Sequence, residues 1–238
     1  MATKYPGLAL MAGMVLIMLT SMLLPGNGLI DSVDQTDFVA ARDALGDSPI
    51  LAQWMTFMTI ISLLLMSYGL LGLYPAASQQ AGFGGRMLQF GIIISVIEWS
   101  ILIIVGGMRH FVIHMMQRSE LPADGSLTSA DFEQVALGIH TTMTSVGLTL
   151  YALFPLASIL LGIGLSKRFD SMGIYKSSSL ILAIGGVLGL IIFLTAMNAP
   201  DFGLSTMLNI NNTVLSIMSI TLIIIGYGMY REREEFAP

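Results

Sequence analysis

The 238-residue sequence predicts an all-α, polytopic membrane bundle with six transmembrane helices, forming a single domain over residues 1–238. Three observations lead there. Apolar residues make up 55% of the chain and charged residues 11%, with a mean hydropathy of +0.81; a soluble domain carries about 25% charged residues because its surface needs them. Six stretches reach the roughly 20 apolar residues that a helix needs to cross hydrocarbon: Gly7–Leu24, Leu51–Tyr74, Met87–Met116, Ser129–Leu165, Ile174–Met197 and Gly203–Tyr230. None shows the ten-residue alternation of a barrel strand. Within lipid each backbone group must be paired inside its own segment, which leaves helices as the economical solution.

The elements follow in order. Lys4 precedes the first apolar run, but no small-x-small site follows it; the chain continues Leu24-Pro25-Gly26-Asn27-Gly28, so the run is expected to be an uncleaved span. The loop from Pro25 to Ile50 predicts a short interfacial helix over Ser32–Leu45, with Val33, Phe38, Ala41 and Leu45 on one side. Its aspartates Asp31, Asp34 and Asp37 lack the glycine and distal glutamate of a calcium loop and read as solvated charge. The third and fourth segments exceed the bilayer and should tilt or project into water. Thr128-Ser129-Ala130-Asp131 offers a capping box to the fourth, and Pro155 should kink it. Gly185, Gly186 and Gly189 give the fifth a small-residue face for close helix packing.

Composition excludes several function classes. The chain has no cysteine, hence no disulfide, thiolate metal site, iron–sulfur cluster or cysteine nucleophile. A net charge of −5 and a pI near 5.0 argue against nucleic acid as a partner. The partners implied are the lipid bilayer and a membrane-protein partner or a second copy of the chain. The eighteen methionines are scattered and suit an adaptable apolar core rather than copper ligation.

Polar residues inside the spans are where function should show. Glu98 sits between Ile97 and Trp99, with no Lys or Arg between Arg86 and Arg109. Ionised and unpaired it would cost several kcal/mol, so it should be neutral or paired across the bundle, as helix glue or as a proton carrier. His110 and His114 fall about 40° apart on one face with Ile103 and Gly107, while Arg109 beside them can snorkel outwards. On the next helix Glu133 and His140 share a face. If the two helices pair as a hairpin, His110, His114 and His140 could form an open zinc site, or paired histidines could hold haem. Glu133 or Glu98 would then be the candidate catalytic base; the alternative is that all three histidines are structural. On the sixth span Asn209, Asn212 and Ser216 form a polar stripe expected to face the interior together with Glu98 and His140.

Two stretches carry a resemblance. Arg86 to Glu98 (RMLQFGIIISVIE) and Leu137 to Ser166 (LGIHTTMTSVGLTLYALFPLASILLGIGLS), with the basic turn that follows, are similar to the bacterial membrane proteins of domain-of-unknown-function family 4386. The resemblance covers nearly the whole chain. It implies six spans, a polar loop after the first, a glutamate in the third matched by Glu98 and a histidine in the fourth matched by His140, without implying an activity. The H-x-x-x-H pair also looks like the zinc site of ceramidase and adiponectin-receptor hydrolases. Those have seven spans and a lone histidine before the pair; here the pair comes first.

The functional expectation is a multi-pass protein of the bacterial inner membrane, either a non-enzymatic transporter-like bundle or an accessory subunit. The alternative is an intramembrane zinc hydrolase or a haem protein. Lys4, Arg86, Lys167, Arg168, Lys176, Arg231 and Arg233 fall on one side if the spans alternate, against Arg42, Arg109 and Arg118 on the other. That bias places both termini in the cytoplasm. Reporter fusions after Pro238 should therefore be active only in the cytoplasm, and activity confined to the periplasm would invert the topology.

Overall fold

The computed structural model describes residues 3–122, 125 and 127–237. Nine α-helices occur among them: α1 (Lys4–Leu23), α2 (Phe38–Asp47), α3 (Pro49–Leu71), α4 (Tyr74–Gln79), α5 (Gly82–Ser119), α6 (Ser129–Gly147), α7 (Thr149–Ser166), α8 (Ile174–Asn198) and α9 (Leu204–Tyr230). No strand is present among the described residues. Six helical stretches are long and apolar enough to cross a membrane, with α3–α4 and α6–α7 each counting as one. The chain is an all-α, multi-pass membrane protein. Asp124, one of the acidic residues of the loop before α6, lies outside the described residues.

The expected spans all form, and the differences are local. The helix in the first loop starts at Phe38 rather than Ser32. Asp34 Oδ1 accepts from the backbone N–H of Thr36 at 2.9 Å and from its hydroxyl at 2.7 Å. That turn competes with helix until Asp37 caps α2 by accepting from Ala40 N–H at 3.0 Å. Nor does α2 simply rest on an interface: Ala41, Ala44 and Leu45 are buried. The capping box at Thr128 and Asp131 forms as the sequence predicts. The fourth span is interrupted at Leu148, between α6 and α7, seven residues before the proline; Pro155 itself is enclosed within α7.

The contacts divide the chain into two compact units. The first comprises Met1–Val15, Ser62–Ser100 and Thr149–Pro238. Its helices approach through glycines. A Cβ at Gly186 would stand 2.6 Å from the Pro155 carbonyl oxygen, and one at Gly189 would stand 2.8 Å from the Phe154 ring. Of the expected small-residue face of α8, Gly186 and Gly189 thus pack on α7, whereas Gly185 faces the Met218 side chain of α9. A Cβ at Gly7 would meet the Gly226 carbonyl oxygen and the Tyr230 nitrogen, both at 2.5 Å. On α9 the buried residues Met207, Asn211, Met218, Leu222, Ile225 and Met229 follow three-, four- and seven-residue steps, the stripe that a helix buries.

The second unit comprises Leu16–Ile61 and Ile101–Leu148. Its core joins Leu24, Leu45, Ala52, Val112, Ile113 and Ala136, with Met55, Met115, Met116 and Ile139 packed around them. The α5–α6 hairpin is closed by the Ser129 hydroxyl donating to the Ser119 carbonyl and by Arg118 over the Phe132 ring at 5.8 Å.

Gly7→Ala should destabilise the protein by about 1–3 kcal/mol, because two backbone atoms would have to move. Gly107→Ala and Gly138→Ala should be neutral or mildly stabilising, since nothing lies within 4 Å of either new Cβ. Thermal unfolding in detergent checks this; equal losses for Gly7→Ala and Gly107→Ala would contradict the packing described.

Candidate functional site: unpaired polar groups in apolar spans

Most hydroxyls in the spans satisfy themselves. Thr56 donates to Ala52 O at 2.7 Å, Ser67 to Leu63 O at 2.8 Å and Ser100 to Val96 O at 2.7 Å, each one turn back along its own helix. Against that background three buried side chains stand out.

Glu98, on α5, is 5% exposed, and its carboxylate has no hydrogen bond or ion pair among the described residues. The following Trp99 is buried beside it. Asn211, on α9, is fully buried, and neither its Nδ2 nor its Oδ1 finds a partner. His140, on α6, is 3% exposed with Nδ1 unbonded. Glu98 and Asn211 belong to the first unit and His140 to the second.

The surroundings of His140 are set by α2. The Phe38 ring packs edge-on to the imidazole at 6.4 Å. One turn along, Arg42 is 8% exposed; it donates to the Glu133 carbonyl at 3.2 Å and, through Nη2, to the Asp43 carboxylate at 2.6 Å. Arg109 lies about 60° around α5 from the buried Val112, towards the core rather than snorkelling freely outwards. It has no hydrogen bond or carboxylate partner among the described residues.

Three expectations need correction. The histidines do not converge. Val105, Val112 and Ile113 carry the buried side chains of this part of α5; His110 lies about 60° from Ile113 and is half-buried, whereas His114 lies about 160° from Val112. His114 is exposed, and Gly107, on the same side, opens that face away from the core. Among the described residues no group of three His, Asp or Glu side chains is placed to hold a metal ion, so the zinc site of His110, His114 and His140 does not form. Glu133 is half-buried, and its role here is through its backbone carbonyl. Finally, Asn209, Asn212 and Ser216 do not line the interior; all three are exposed. The Asn212 carboxamide oxygen accepts from the Tyr151 hydroxyl at 3.0 Å, and Ser216 donates to Asn212 O at 2.9 Å.

The residue the sequence reading passed over is Asn211. Its signal was present in the stripe Met207–Asn211–Met218–Leu222, which the neighbouring run of Asn, Thr and Ser obscured. Arg42 was counted only as a loop-side charge in the topology, on a helix expected to lie at the interface. The chain matches no protein-family model, curated protein or solved structure.

Glu98→Gln keeps the shape and hydrogen-bonding capacity of the buried group and should leave stability within about 1 kcal/mol of the parent, as expected when no partner is lost. Chemical denaturation in detergent reads this, and a loss of several kcal/mol would mean that the carboxylate has a charged partner.

Proposed function

We propose that this protein is a non-enzymatic, transporter-like bundle of the bacterial cytoplasmic membrane, with both termini cytoplasmic, in which Glu98 carries protons. The observation behind this reading is that Glu98, His140 and Asn211 are buried in apolar spans without partners for their polar atoms. Each such group costs about 1–3 kcal/mol when left unsatisfied. A chain that needed only stability would replace them with apolar residues. Groups that a proton or a polar solute visits during work repay that cost in function, and ionisable residues inside membranes mark such routes. His140, with its ring against Phe38 and its Nδ1 unbonded, would bind the solute. The resemblance to domain-of-unknown-function family 4386 belongs to the same proposal, since Glu98 and His140 are its matching residues.

One observation favours a second reading, an accessory subunit. The stripe of Asn209, Asn212 and Ser216 faces outwards from an otherwise apolar span, where another membrane protein could cover it.

Proteoliposomes enclosing a pH-sensitive dye test the first reading. A potassium diffusion potential should drive acidification faster than in protein-free vesicles, and Glu98→Gln should abolish the difference. Flux unchanged in Glu98→Gln would overturn proton carriage.

A further inference from the structure

Gln79 and Gln80 follow one span, Lys167 and Arg168 another, and Glu234 and Glu235 lie just beyond α9. These residues, with Ala237, line an open cavity of about 460 Å³ within the first unit. Every lining residue stands at or beyond the end of its span, on the stretch of chain that leaves the bilayer through the headgroup layer.

The cavity is built rather than incidental. Arg168 donates to the carbonyls of Glu235, Ala76 (2.7 Å) and Ala237 (2.8 Å), which ties the C-terminal turn to α4. Phe236 is fully buried against Phe169 and Tyr175 and anchors the same turn. Gly84 has no side chain to separate Gln80 from Lys167: a Cβ there would lie 2.6 Å from Gln80 Nε2 and 3.1 Å from Lys167 Cβ.

Its charges are mixed and partly unspent. Arg168 is bonded to carbonyls, which leave its positive charge in place. Lys167 and Glu234 have no ion-pair partner among the described residues, whereas Glu235 pairs with Arg233 at 3.0 Å. Gln80 Nε2 reaches the Gly164 carbonyl at 3.4 Å, but its Oε1 is buried without a donor. A simple anion would suit Lys167 and Arg168 while facing Glu234. A simple cation would meet Lys167 and Arg168. A group bearing both an anion and an N–H-donating ammonium suits all three.

We propose that this cavity binds the phosphoethanolamine headgroup of a phospholipid. The phosphate diester lies at Lys167 and Arg168, and the ammonium donates to the Glu234 carboxylate. The position of the cavity at the span ends assigns the headgroup to a lipid rather than to a soluble molecule.

Thermal unfolding of the full chain in detergent micelles tests this, with phosphatidylethanolamine, phosphatidylglycerol or phosphatidylcholine added at matched mole fractions. Phosphatidylethanolamine should raise the midpoint most. Phosphatidylglycerol has no ammonium, and the quaternary nitrogen of phosphatidylcholine has no N–H to donate. Lys167→Gln and Glu234→Gln alter exposed side chains, so lipid-free midpoints should stay unchanged. Each should weaken the apparent affinity for phosphatidylethanolamine about tenfold, the loss expected for one charge-assisted hydrogen bond. Equal stabilisation by all three lipids, or an undiminished response in both variants, would overturn the site. Stabilisation by glycerophosphoethanolamine without any by the intact lipid would overturn the lipid assignment.

Discussion

Hydrocarbon offers a peptide group no hydrogen bond, and this constraint organises the whole chain. It explains why the spans are helices throughout and why serines and threonines within them turn back to carbonyls of their own helix. It also sets the terms on which any other polar group can be present. A hydroxyl is cheap in a span because a helical carbonyl one turn away can accept from it. The Glu98 carboxylate has no such local solution, and neither His140 Nδ1 nor either end of the Asn211 carboxamide has found one.

Close packing in the first unit depends on removing side chains rather than adding them. With Gly7 against the backbone of α9, and Gly186 against that of α7, main chains approach to distances at which a Cβ could not fit. Such contacts carry dispersion energy where the hydrophobic effect cannot drive helix association, because lipid tails are as apolar as the side chains. The second unit solves the same problem with side chains, through the Leu45, Val112, Ile113 and Ala136 core. There α2 has a double role: its apolar face completes that core, while Phe38 packs on the His140 ring and Arg42 binds the Glu133 carbonyl of α6. A helix from a polar loop therefore shapes the surroundings of the most enclosed histidine.

The C-terminal turn shows how polar and apolar anchoring combine outside the spans. Phe236 inserts among aromatic rings, and Arg168 gathers the carbonyls of Ala76, Glu235 and Ala237. With α7, α9 and α4 held at one end, their terminal Lys, Glu and Gln side chains share one cavity.

What could be read without coordinates was whatever depends on local composition and period. Span number and approximate limits follow from runs of apolar residues, since twenty such residues can satisfy their backbone in lipid only as helix. The capping box at Thr128 depends on residues three apart, and the packing face of α8 on glycines one turn apart; both formed as the spacing required. Which side of a helix faces protein is another matter. His110, His114 and Gly107 do share a face, but the spacing alone could not say that Val105, Val112 and Ile113 would carry the buried side chains, leaving His114 and Gly107 exposed and His110 at the edge. Asn209, Asn212 and Ser216 likewise form a real stripe, yet the seam through Met207, Asn211 and Met218 took the interior. A helix nearly apolar all round has a weak directional signal, because lipid and protein interior accept the same side chains. Only tertiary packing chose between the faces, and with them which polar groups became buried.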